Sequence, residues 1–135
     1  IEQFARGVDL LVHEALAPNL VAMMQQAAED SGNGILAKIT HDIPAYHASP
    51  VDAAETARDA GAGHLLYYHI VPPLVIPGQK TLFLNGAENI FERYTIGEDG
   101  VGAVTGRAGC SSQRKVVAGR SSGWTQALYF PRYAP

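Results

Sequence analysis

Two short apolar runs, VDLLV (8–12) and LLYY (65–68), do most to restrict what this chain can fold into. Neither alternates polar with apolar residues, so each reads as a strand buried on both faces, the pattern of parallel sheets. Parallel strands need a long crossover, and the residues between the two runs supply helical patterns for one. Ala17-Pro18-Asn19 opens the first, with Asn19 as N-cap, and Leu20, Met23, Met24, Ala27 and Ala28 recur at helical spacing up to Gly32. Ser49-Pro50-Val51-Asp52 opens the second, with a serine cap, proline at the first helical position and an acid three residues after the cap. Val51, Ala54, Ala57 and Arg58 continue that face, and Gly61 and Gly63 end it. The segment KITHDIPAYHASP (38–50) has weak periodicity and reads as a loop, while IEQFARG at the start looks helical. TLFL (81–84) and RYTIG (93–97) read as further strands, the latter entering an Asp99-Gly100 turn. The expected class is α/β, a mixed sheet with flanking helices. If the two apolar runs are parallel neighbours, their carboxyl ends share one edge, where such sheets bind ligands.

Charge divides the chain. Residues 1–100 hold all 13 acids and five bases, a net of −8, whereas residues 101–135 hold no acid and five bases (Arg107, Arg114, Lys115, Arg120, Arg132), a net of +5. The tail contains GRAGCSSQRK, which reads as flexible, and one apolar stretch, Trp124 to Tyr133. We therefore expect a folded unit over 1–100 and a basic, irregular tail of separate origin over 101–135, as a shifted reading frame or replaced terminus would produce. A basic arm for nucleic acid is the functional alternative for that tail. A single cysteine excludes an internal disulfide framework and a cysteine-based zinc site. No apolar run approaches a membrane span, so no membrane partner is expected and the cytoplasm is the default location. The first residue is isoleucine, and an upstream segment is expected.

All five histidines (His13, His41, His47, His64, His69) fall between positions 13 and 69. Imidazole is the commonest neutral metal ligand and the readiest acid–base group near neutral pH. His13 and Glu14 follow the first run, and His69 follows the second, so all three are expected in one crevice. His47 lies two residues before the Ser49 cap, near the positive end of a helix dipole, where an anion is favoured. That placement suits a proton donor acting on a phosphate or sulfate ester, with Glu14 orienting the ring. The same residue equally suits a loop histidine packed beside Tyr46. His41 and His64 read as surface or structural residues.

VDLLVHEAL (8–16), YHASPVDAAETARDAGAGHLL (46–66) and YYHIVPP (67–73) together resemble the metallo-β-lactamase superfamily, in particular its ribonuclease Z-like and arylsulfatase-like hydrolases. In that group a strand ends in His-Glu-Ala-Thr, matched by His13, Glu14 and Ala15 with Leu16 in place of threonine. A His-Ser-Thr motif precedes an alanine-rich helix, matched by His47 followed by Ala48 and Ser49, and a late strand delivers the last metal-binding histidine, matched by His69. YTIGEDG (94–100) looks like the closing strand. The resemblance covers roughly residues 1–100. It implies the C-terminal half of an αββα sandwich whose site holds two zinc ions. In that picture His69 ligates zinc, His47 assists the leaving group, Glu14 positions His47, and His13 supports the ligands from behind.

The family's HxHxDH motif, a further histidine and its bridging aspartate are absent from these 135 residues. One imidazole cannot hold a catalytic zinc, which takes about three protein ligands. The expected function is therefore part of a zinc-dependent hydrolase that is inactive as this fragment. Its substrate would be a phosphodiester, as in tRNA 3′ processing, or a small arylsulfate ester. Dimerisation is common in the group, which makes a homodimer a further expectation of the resemblance. Two readings from other classes stand beside it. One is a non-catalytic α/β module with a nucleic-acid-binding tail, and the other is a structural remnant that does not fold alone.

Overall fold

A computed structural model describes residues 2–98 and the backbone of residues 101–106 and 115–120. The chain divides into two compact units, Ile1–Gly97 and Glu98–Pro135.

The first unit is α/β. Strand β1 (Leu11–Leu16) is followed by helices α1 (Pro18–Asp30) and α2 (Gly34–Asp42), a 3-10 turn (Ile43–Tyr46) and helix α3 (Pro50–Asp59). Strand β2 (Leu65–Val71), helices α4 (Gln79–Leu84) and α5 (Ala87–Ile90), and strand β3 (Tyr94–Ile96) complete it. The sheet order is β1-β2-β3, and both pairings are parallel rather than mixed. The neighbouring apolar runs are thus parallel, as their continuous hydrophobicity implies.

Several boundaries differ from the sequence reading. The first strand starts at Leu11, where pairing with Leu65 begins, so His13 and Glu14 lie within it rather than beyond its end. The preceding Val8 is held by a turn, its amide donating to Ala5 O at 3.3 Å and its carbonyl accepting from Gly63 N at 2.7 Å. Residues 2–7 form turns, not a helix. The expected 38–50 loop is mostly helical: Asn33 caps α2 by accepting from Leu36 N at 3.1 Å, and the chain runs on into the 3-10 turn. Asn19 is not a cap. Ala17 takes that place, and the Asn19 amide instead donates to Leu82 O at 2.8 Å. TLFL belongs to α4, which lies between Gly78 and Asn85, both in left-handed backbone.

Helix α3 forms as its sequence dictates. Ser49 Oγ accepts from Asp52 N at 3.1 Å, Asp52 Oδ2 accepts from Ser49 N at 2.8 Å, and Pro50 occupies the first helical turn. Ala53, Ala54 and Ala57 are fully buried, and their small side chains let the helix lie close to β1 and β2. The core gathers on this one face of the sheet, with Leu11, Ala15, Leu65 and Tyr67 meeting α3, Leu20, Phe83, Leu84, Ala87 and Phe91. Among the described residues nothing covers the exposed side chains of the opposite face. Val12 is 50% and Tyr68 63% exposed there, although parallel sheets ordinarily have both faces covered.

In the second unit, strands β4 (Val101–Gly106) and β5 (Lys115–Arg120) pair antiparallel from Val101↔Arg120 to Gly106↔Lys115. This part of the chain was expected to be irregular. The Asp99-Gly100 turn, most of GRAGCSSQRK, the Trp124–Tyr133 stretch and the basic side chains after residue 100 lie outside the described residues. Among the described residues no helix is long and apolar enough to cross a membrane.

Candidate functional site

The carboxyl ends of β1 and β2 and the segment entering α3 meet at one edge of the sheet. Strand alternation assigns the side chains of β1 to faces: Leu11 and Ala15 join the core, while Val12 and Glu14 point to the open side. Glu14 pairs with Tyr68, but the next pair is Ala15↔Ile70, so His69 is an extra, unpaired residue in β2. It is a β-bulge, and His69 adopts left-handed backbone with φ 46°. In a regular strand the residue after Tyr68 would turn back to the core face. The bulge instead brings His69 Nδ1 to 3.5 Å from Glu14 Oε2.

His47 arrives from the other direction. Leu16 N donates to Ala48 O at 2.8 Å, which ties the approach to α3 against β1. There His47 Nδ1 donates to Glu14 Oε2 at 2.6 Å, and Ala48 N reaches Glu14 Oε1 at 3.4 Å. The His47 and His69 rings lie 5.5 Å apart, and donor atoms of Glu14, His47 and His69 all fall within 4.8 Å of one another. Burial pushes the Glu14 carboxyl toward its neutral form. The hydrogen bonds from His47 and Ala48, the positive charge of His47 and the contact with His69 outweigh that, and leave its pKa below the ordinary carboxylate value. Glu14 is thus an anion presented to two imidazoles.

His13 is not in this group. It lies on the adjacent position of β1, its Nδ1 hydrogen-bonded at 2.8 Å to the main-chain oxygen of Glu14. His64 bonds Thr95 Oγ1 at 2.9 Å between the starts of β2 and β3, far along the strands from the cluster. Sequence reading missed two contributors: the Ala48 amide, for which no sequence signal exists, and the hydroxyl of Tyr67, which looked only like core.

Two donors on one tetrahedral zinc at bond lengths near 2.1 Å would stand about 3.4 Å apart. The 2.6 Å contact of Glu14 with His47 is too short for that and is a charge-assisted hydrogen bond. The 3.5 Å spacing of His69 and Glu14 leaves an imidazole nitrogen of His69 free to ligate. As a donor type, the His69 imidazole fits a zinc-like cation, with Glu14 and His47 paired beside it.

The sequence is 32% identical over 100 residues to ribonuclease Z of Mycobacterium sp. (strain KMS), an overlap of 73% of this chain and 31% of that protein. It is 33% identical over 100 residues to ribonuclease Z of Mycobacterium tuberculosis (strain ATCC 25618 / H37Rv), covering 73% of this chain and 32% of the relative. A putative ribonuclease Z of Mycobacterium tuberculosis (strain CDC 1551 / Oshkosh) is 33% identical over the same length, 39% of that protein. The chain is similar to ribonuclease Z. It spans about a third of the length of these curated relatives. No family model matches the sequence.

Proposed function

We propose that this chain is part of a metal-dependent hydrolase of the metallo-β-lactamase superfamily, ribonuclease Z-like, cleaving RNA phosphodiesters such as those at tRNA 3′ ends. The observation that carries this reading is the convergence of Glu14, His47 and His69 at the sheet edge, in a chain 32% identical over 100 residues to a ribonuclease Z. The exposed face of the β1–β2–β3 sheet supports an αββα sandwich, in which a second sheet would cover Val12 and Tyr68. The relatives are named as ribonucleases, so the phosphodiester is favoured over an arylsulfate.

His69 would ligate zinc, together with residues this chain does not contain. When bound, two zinc ions supply an activated water and stabilise charge on the phosphoryl oxygens. The chain's own chemistry is proton handling. Glu14 accepts a hydrogen bond from His47 Nδ1, which fixes the ring and leaves Nε2 to hold a proton. From Nε2 that proton passes to the leaving ribose oxygen as the P–O bond breaks. Glu14 stays ionised throughout, because its hydrogen bonds favour the anion. His13 steadies the main chain at Glu14.

The test is cleavage of a 3′-extended tRNA precursor by the full-length polypeptide that carries this chain. His47→Ala should slow cleavage about 10²–10⁴-fold, the usual effect of losing a general acid, while zinc content is unchanged. Undiminished cleavage in that variant would refute the assignment.

A further inference from the structure

We propose that Tyr67 is a positioning residue for the Glu14–His47–His69 cluster, tying the strand that carries His69 to the turn that carries His47; this rests on the metal-site reading above. Tyr67 sits in β2 two residues before His69 and is completely buried. Its hydroxyl donates to Pro50 O at 3.0 Å, a side-chain bond spanning 17 residues of sequence. Pro50 opens α3 three residues after His47, and its ring is itself fully buried. The 47–50 segment is therefore held at three points. Leu16 N bonds Ala48 O, the Glu14 carboxylate meets His47 and Ala48, and Tyr67 grips Pro50 O. Only the last of these ties comes from β2. It is a direct hydrogen bond between the two elements that bring the imidazoles together.

Packing alone does not call for the hydroxyl. The Tyr67 ring stands edge-on to Phe83 at 5.5 Å and to Tyr94 at 6.0 Å, contacts that a phenylalanine would also make. A phenol buried among apolar neighbours costs stability unless it is paired, and here its partner is the Pro50 carbonyl. A ligand and a proton donor act only when held to within fractions of an ångström, so a tie at this distance bears on the site without touching substrate.

Tyr67→Phe removes one oxygen and keeps the ring. In the full-length polypeptide that carries this chain, cobalt(II) serves as the metal probe, because its visible absorption reports ligand geometry. The variant should bind cobalt about fivefold more weakly, the effect of one ordinary hydrogen bond, with an altered visible band. A lowered melting temperature with unchanged cobalt affinity and spectrum would mean a purely structural role and overturn the proposal. A second measurement needs no metal. The Leu16 amide, bonded to Ala48 O, should exchange its hydrogen about fivefold faster in the variant relative to the Met24 amide of α1. Equal changes at both amides would also overturn it. If the unaltered full-length polypeptide takes up no cobalt, the metal reading fails, and the exchange ratio alone decides the role of Tyr67.

Discussion

His69 shows how much can turn on one residue's backbone. Left-handed backbone costs a residue with a Cβ about 1–2 kcal/mol relative to ordinary conformations, and glycine avoids that cost. His69→Gly should therefore be more stable to chemical denaturation than His69→Ala, by about 1 kcal/mol, although both lose the ring. Equal stabilities would mean that the bulge is unstrained. His64 makes a different prediction. Burial and the neighbouring Arg93 depress its pKa from 6.5, so the folded protein favours the neutral ring. Below pH 6.5 the unfolded chain binds the proton more readily, and stability falls as pH drops through this window. Replacing His64 with glutamine should flatten that part of the stability profile; an unchanged slope would contradict the account. Residue type was legible in sequence at both places. His69 could be read as a ring at a strand's end, but a bulge depends on how two strands come into register, and a single strand carries no sign of that.

Among the elements, α3 was the most readable, because its cap is local chemistry. Ser49→Ala should cost about 1 kcal/mol in equilibrium unfolding, the usual value of a serine cap. The Asp52 carboxyl is held below its ordinary 3.8 by hydrogen bonds from the Ser49 side chain and backbone. Its contribution is thus fully present above pH 3.8 and is lost as pH falls through the lower folded value, so the Ser49→Ala penalty should shrink in acid. A penalty independent of pH would separate the cap from that ionisation. Helix α4 was misread for a physical reason. Four apolar residues in a row suit a buried strand and a short helix equally, and the tertiary context decides. Here Phe83 and Leu84 are buried while Leu82 is half exposed, an arrangement that packs one helical turn against Tyr67. The start of β1 was misplaced because Gly63 lies so near Asp9. A Cβ on Gly63 would stand 2.6 Å from Asp9 O, an approach that only glycine allows and that holds the chain in a turn before pairing begins. Gly63→Ala should accordingly destabilise the fold by about 1–3 kcal/mol in the same unfolding assay.

At the scale of the whole molecule, helices among the described residues cover the parallel sheet on one side only, and the chain matches about a third of each relative's length. Both follow if the remaining ligands and the second layer of the fold belong to sequence outside these residues. Order along the chain offered three candidates: a histidine and glutamate after the first apolar run, a histidine before a capped helix, and a histidine after the second run. How they meet could not be inferred, since it depends on the bulge, on the Leu16–Ala48 tie and on the buried Tyr67 hydroxyl. The most direct test of the account is the zinc content of the full-length polypeptide, measured by mass spectrometry of the purified protein beside its His69→Ala variant. The account predicts two zinc ions per chain and a clear loss in the variant. A wild-type protein without zinc, or a variant that keeps its full complement, would contradict it.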